Sequence, residues 1–214
     1  MVSPTQILWD ALRAAYDSAS EIIISNILWF LLSIPIVTAP AAAAGAYSNA
    51  YRLAIGKPAT AQSFMKGIRK FGWAGYRFFF MNLLVFLALF FYLYFFGQIR
   101  TQWAVWVQGI VIGISIIWLL LNIFTFPLYL AQEEKKLLVA LRNSVVFYIK
   151  MPGLCLSLIS FLLLFLALST LLGVPWLLFT TVLAFMLCCR FTIFMLSKLG
   201  YHPEEENFLH VDAN

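Results

Sequence analysis

Few side chains in this 214-residue chain are of a kind that does chemistry, and their positions restrict what they can do. His202 and His210 are the two histidines, and both lie in the tail HPEEENFLHVDAN with Glu204, Glu205 and Glu206 between them. Imidazole and carboxylate are metal donors, but an acidic run without cysteine or fixed geometry reads first as a solvated tail. Cys155, Cys188 and Cys189 sit inside apolar runs without metal-ligand spacing, and adjacent cysteines make a poor disulfide, so they read as small buried side chains. No serine has both a base and an acid in plausible reach, which leaves a hydrolase without support. No glycine-rich phosphate loop occurs, and no Asp, Glu or His falls inside an apolar run, so no proton relay is apparent. No cofactor or metal is expected. What remains is four polar residues within apolar runs, Thr38, Arg77, Asn122 and Arg190, and a helix-breaking element, Pro35 and Pro40 flanking Thr38.

The elements that must position these residues are set by composition. The chain is 63% hydrophobic and 11% charged, with mean hydropathy +0.92, whereas soluble domains carry roughly a quarter of their residues charged. Lipid therefore solvates most of the surface. The net charge of +5 does not point to nucleic acid, because the basic residues are confined to short loops between apolar runs. The expectation is an all-α polytopic membrane protein with about five transmembrane helices, over 22–44, 72–96, 103–128, 154–172 and 176–196, in one domain covering 22–198. Residues 1–21 form an amphipathic helix at the interface, with Ile7, Leu8, Ala11, Leu12 and Ala15 on one face. A cleaved signal peptide fits less well, since Asp10, Asp17 and Glu21 outnumber Arg13 where a basic region belongs. Residues 48–71 form a loop turning at Gly56, Lys57 and Pro58. The stretch 131–150 is a second interfacial helix with Leu137, Leu138, Leu141, Val145 and Tyr148 at helical spacing. Residues 199–214 are a polar tail.

Orientation follows from charge. Arg52, Lys57, Lys66, Arg69 and Lys70 lie in the first loop, and Lys135, Lys136, Arg142 and Lys150 in the second. The positive-inside rule makes both loops cytoplasmic, with the N-terminus outside and the C-terminus inside. At 1.5 Å per residue, Thr38 then lies roughly 24 Å and Arg190 roughly 21 Å from the outer ends of their spans. Arg77 and Asn122 come to a similar depth near the cytoplasmic leaflet. One reading is a cationic pocket for an anionic lipid head group, a sugar phosphate or a partner helix. The other is that the arginines snorkel to lipid phosphates while the asparagine bonds a neighbouring helix. LVFLAL at 84–89 and LLFLAL at 163–168, each after a basic amphipathic stretch, raise an internal repeat beside chance similarity of leucine-rich helices.

The first apolar segment, NILWFLLSIPIVTAPAAAAGAY over 26–47, contains the two prolines. Pro35 removes a backbone donor and Pro40 disfavours helix at Ala39, so carbonyls are freed that lipid cannot satisfy, and Thr38 is placed to bond one. This run resembles the opening of the YesL-like bacterial membrane proteins, a family of unknown function. Asn26, Trp29, Pro35, Thr38, Pro40, Ala43 and Tyr47 carry the match, and a later helix ends similarly in Phe126 to Tyr129. The resemblance covers about residues 20–198. It implies the bacterial plasma (inner) membrane and an accessory role in carbohydrate uptake, and it brings no catalytic residues.

The functional expectation is therefore a non-enzymatic multispan protein that contacts the lipid bilayer and accompanies a sugar-transporter complex or another membrane protein. The alternatives are a small transporter component gated at the Pro35–Pro40 break, and a membrane enzyme or binder of anionic lipid.

Overall fold

The computed structural model describes residues 4–99, 101–173 and 179–201. Every regular element among them is a helix: α1 (Pro4–Asp17), α2 (Ala19–Ser33), α3 (Ala39–Ala54), α4 (Ala61–Gly97), α5 (Gln102–Ala131), α6 (Leu137–Lys150), α7 (Pro152–Leu172) and α8 (Thr181–Lys198). Four of these, α4, α5, α7 and α8, are long and apolar enough to cross a membrane. Large apolar residues face outward along them, such as Leu84 and Phe90 on α4, Ile110 and Ile117 on α5, and Leu163 and Leu164 on α7.

The first expected span, 22–44, is not one helix. The chain leaves α2 at Ser33, turns over 34–38, and returns as α3, because proline supplies no N–H to continue the helical ladder. Thr38 restores part of the deficit: its hydroxyl donates to the carbonyls of Leu32 and Pro35, and its N–H donates to Pro35 O at 2.9 Å. Pro40 stands in the first turn of α3, where a missing N–H is no loss. The reversal brings the two ends of the pair together. Ala59 N donates to Glu21 Oε2 at 2.8 Å, and Asn49 Nδ2 donates to Ser25 Oγ at 2.9 Å and Thr60 O at 3.2 Å. Ser63 Oγ closes the network on Asn49 Oδ1 at 2.8 Å. The start of α2 therefore lies at the same end of the molecule as the 55–60 turn, which corrects the expectation that 22–44 separates them across a membrane.

The 48–71 loop is likewise shorter than expected. Helix α3 runs to Ala54, Gly56 takes a positive φ of 76° in the turn, and α4 begins at Ala61 under a capping box of Thr60 and Ser63. Helices α3 and α4 then run antiparallel in close contact, which the small residues of both permit. A Cβ built on Gly45 would meet Ile68 at 2.7 Å, one on Gly67 would meet Ser48 Cβ at 2.7 Å, and one on Gly75 would meet Pro40 O at 2.3 Å. Tyr76 fixes the tip of the turn by donating to Val37 O at 2.7 Å. The tip thus reaches Tyr76, roughly 22 Å along α4 from Ala61 at 1.5 Å per residue.

Helix α5 descends antiparallel to the rest of α4. Gln108 Nε2 donates to Phe96 O at 2.9 Å near one end, and Phe71 and Tyr129 meet edge to face at 6.4 Å near the other. The second basic stretch is not a surface helix by itself. Helix α6 packs back along α5, with Thr125 and Ser144 hydroxyls 3.2 Å apart and Tyr148 OH donating to Leu120 O at 2.7 Å. Its buried face is Ala140, Ser144 and Phe147, while Leu138 and Val145 of the expected apolar face are exposed. Contact with α5 rather than hydrophobicity alone selected the face. Pro152 ends α6 at Met151 (φ −137°, ψ 55°) and opens α7, whereas α4 runs through its equivalent basic-to-apolar transition without a break.

Helix α8 is described from Thr181, and residues 179 and 180 before it are also helical. It runs parallel to α3, with Phe185 on Tyr47 and Arg190 beside Ala54. Val182 is fully buried, and Asn26 Oδ1 of α2 accepts from its amide at 3.1 Å. Helix α1 lies against α8 through buried Ala11 and Ala15, while Trp9, Leu12 and Tyr16 face outward. Residues 174–178 of the expected last span, and the tail with His202 and His210, lie outside the described residues.

Candidate functional site

A cleft of about 560 Å³ opens behind the α2–α3 turn. Its back wall is the turn-proximal end of the hairpin, with Trp29 and Ser33 from α2 and Pro40, Ala43 and Tyr47 from α3. Gly75 and Phe78 of α4 stand beside Pro40, and the close approach at Gly75 brings α4 near enough to close that side. Phe126 of α5 and Phe185 of α8 form the floor with Tyr47. The Tyr47 ring stacks on Phe185 at 3.7 Å between centroids and 12° between planes, and packs on Phe126 at 4.8 Å. The mouth is framed by Phe79 of α4 and Leu119 of α5, both exposed on the apolar outer surface.

Two asparagines define the polar part of the wall. Asn82 is fully engaged between helices: its Nδ2 donates to Phe78 O at 2.9 Å, and its Oδ1 accepts from Trp118 Nε1 at 2.9 Å. This bond ties α4 to α5 at the level of the cleft. Asn122, one turn from Trp118, donates from Nδ2 to Trp118 O at 2.7 Å, but its Oδ1 has no partner. Ser33 Oγ on the opposite wall is also buried without a partner among the described residues. Both atoms are buried in the walls and not open to the cleft, and a buried polar group left unbonded costs about 1–3 kcal/mol. Among the described residues of the lining, Tyr47 is the only ionisable one.

The residues singled out from the sequence divide into three places. Trp29, Pro40 and Asn122 line the cleft. Pro35 and Thr38 shape the turn above it, and Asn26 bonds Val182 of α8 beneath it. Arg77 and Arg190 do not join them. Arg77 is exposed and lies over the Trp73 ring at 5.6 Å. Arg190 points to the base of the hairpin, its Nε 3.4 Å from Ala54 O, roughly 21 Å along α3 from Pro40. The structure thus brings together the break and one asparagine, and leaves both arginines out of the cleft. Ser33, Asn82 and Gly75 were not singled out from the sequence. Gly75 carried a readable signal, since Gly67, Gly72 and Gly75 recur on one face of α4 opposite an alanine-rich α3.

At the basic end of the molecule, Lys135 Nζ donates to Leu130 O at 2.8 Å and Gln132 O at 2.7 Å, satisfying carbonyls at the end of α5. Burial and then the nearby positive charge of Lys70 push its ammonium down to about 8.

Fold and cleft together define an all-helical protein with helices fit for a multispan membrane protein by length and composition. No family model, curated protein or solved structure matches the chain.

Proposed function

We propose that this is a non-enzymatic, multi-pass accessory protein of the bacterial plasma membrane, and that the α2–α3 hairpin with its cleft is its working element. The observation that carries the reading is the cleft itself, whose described lining is aromatic, aliphatic, hydroxyl or amide, with no acid, thiol or imidazole among those residues. Such a lining recognises and holds rather than transforms. By the positive-inside rule, the α1–α2 connection, both basic turns and the C-terminal end of α8 are cytoplasmic, with the hairpin entering from that side and returning. The resemblance of the 26–47 run to YesL-like proteins is what suggests placing it beside a carbohydrate-uptake system. Affinity purification from native membranes tests this. A stable transporter partner is expected, and recovery of the protein alone under conditions that preserve known membrane complexes would defeat the accessory role.

A specific observation supports a second reading, a small transporter component. The α2–α3 hairpin breaks and turns within the molecule, and interrupted helices of this kind form substrate sites in secondary transporters. Uptake of sugars into proteoliposomes containing the purified protein alone would favour it over the accessory role.

A further inference from the structure

One exposed face of α4 changes character along its length in the order of a phospholipid. Lys70, Trp73, Arg77, Phe80 and Leu84 recur at three- and four-residue intervals, which places them on one side of the helix, and all five are exposed. The face is cationic and aromatic from Lys70 to Arg77 and apolar at Phe80 and Leu84. The Arg77 guanidinium lies over the Trp73 ring at 5.6 Å, one turn back toward Lys70, so its charge is carried away from the apolar part. A second helix completes the cationic end. Lys70 Nζ stands 5.3 Å from the centre of the Phe71 ring, Phe71 meets Tyr129 edge to face, and the carbonyl of the next residue, Leu130, accepts from Lys135 Nζ at 2.8 Å. The two ammoniums thus bracket the α4–α5 contact. Burial first, and then the charge of Lys70, push Lys135 down, so the two cations are within electrostatic reach of each other. Lys135 commits two of its three N–H donors to Leu130 O and Gln132 O and keeps one. Among the described residues no carboxylate pairs with Lys70, Arg77 or Lys135, and the nearby Glu134 is taken by Lys136 at 3.1 Å. Like charges from two helices, held close without a counter-ion, repel, and an anion between them offsets that repulsion.

We propose that this face is a binding site for an anionic glycerophospholipid of the phosphatidylglycerol type. Its phosphate sits between Lys70 and Lys135, Arg77 takes a second phosphate or ester oxygen, and an acyl chain lies along Phe80 and Leu84. The lipid comes from the cytoplasmic leaflet, the side on which the positive-inside rule puts both basic turns. The site rests on the multi-pass reading and is independent of the hairpin cleft and of the accessory role.

The test is native mass spectrometry of the full-length protein in dodecyl maltoside. It is titrated with dioleoylphosphatidylglycerol or with dioleoylphosphatidylcholine, which carries the same chains on a zwitterionic head. Tighter binding of phosphatidylglycerol is expected. Lys70→Gln is expected to weaken it about fivefold, and Lys70→Gln with Lys135→Gln about thirtyfold. Lys57→Gln with Lys198→Gln removes the same charge from other basic positions and is expected to change binding less than about twofold. Circular dichroism checks the fold of each variant, and should the Lys135 variant unfold, Lys70→Gln, whose side chain is exposed, carries the test. Equal binding of the two lipids, or equal loss in the two double variants, overturns the proposal. Inorganic phosphate at the lipid's concentration is expected not to displace it; displacement would assign the cations to free phosphate and overturn the lipid site. Co-purification of a membrane partner tests the accessory role separately, whichever way these titrations fall.

Discussion

Gly75 gives the sharpest test of how the hairpin is held. A Cβ at this position would lie 2.3 Å from Pro40 O, 3.0 Å from Ala44 Cβ and 3.1 Å from the Pro40 carbonyl carbon. Ordinary contact requires a displacement of about 1 Å, and the obstacle is backbone at a proline rather than the end of a flexible side chain. Overpacking of this kind costs about 1–3 kcal/mol, and the rigid neighbour places Gly75→Ala at the upper end of that range. The gain of about 1 kcal/mol from helix propensity offsets part, for a net loss of about 2 kcal/mol. Gly113→Ala in α5 is the control, since nothing lies within 4 Å of its added Cβ, and propensity alone predicts a gain of about 0.5–1 kcal/mol. Gly72→Ala falls between them, its Cβ meeting Ala41 at an ordinary 3.4 Å. Unfolding in mixed micelles by added anionic detergent, followed by circular dichroism, measures all three. The expected order of stability is Gly113→Ala, wild type, Gly75→Ala, with about 3 kcal/mol between the extremes. Equal stability of the Gly75 and Gly113 variants would refute the α3–α4 contact and with it the wall of the cleft.

Four further outcomes follow from the same geometry. Cysteines placed at Ser20 and Gln62, both exposed, are expected to react with an impermeant thiol reagent from the same side of the membrane, the native cysteines being buried; reaction from opposite sides would restore a simple crossing over 22–44. Asn26→Leu deprives Val182 N–H of this acceptor, and a loss of about 1–3 kcal/mol is expected in the same unfolding assay; an unchanged midpoint would show that this bond does not hold α8 to α2. Tyr76→Phe removes the bond to Val37 O, and hydrogen exchange at Thr38 and Ala39 is expected to quicken about fivefold, as for the loss of about 1 kcal/mol; unaltered exchange counts against Tyr76 as the anchor of the tip. Lys135, pushed down to about 8 by burial and by Lys70, is expected to be the lysine most readily modified by amine reagents at pH 8. The sign is fixed by the direction of the shift. The unfolded chain holds this proton up to about 10.4, so stability rises with pH between about 8 and 10.4 as the folded protein loses its buried charge first. A labelling midpoint above 10 would contradict the burial.

Composition and periodicity alone determined the class of this protein. Its few charges and long apolar runs suit contact with lipid, and the runs at 72–96, 103–128 and 154–172 lie within α4, α5 and α7. Proline chemistry was legible too: Pro35 and Pro40 marked the break, and Thr38 supplies hydrogen bonds to the freed carbonyls. What local chemistry leaves open is the direction the chain takes after a break. A kinked span and a hairpin demand the same loss of N–H donors at Pro35. The choice between them lies in contacts of residues far apart in sequence, Glu21 with Ala59, Asn49 with Ser25 and Gly75 with Pro40. Depth counted along a presumed straight helix therefore carried Arg190 to the level of Thr38, whereas packing of α8 parallel to α3 takes it to Ala54. The same packing gathered Ser33 and Asn122 from different helices around one cleft, because rotation about a helix axis is set by neighbouring helices and not by the helix's own hydrophobicity. The break at Pro35–Pro40 was written in the sequence; the cleft behind it was made by the tertiary fold.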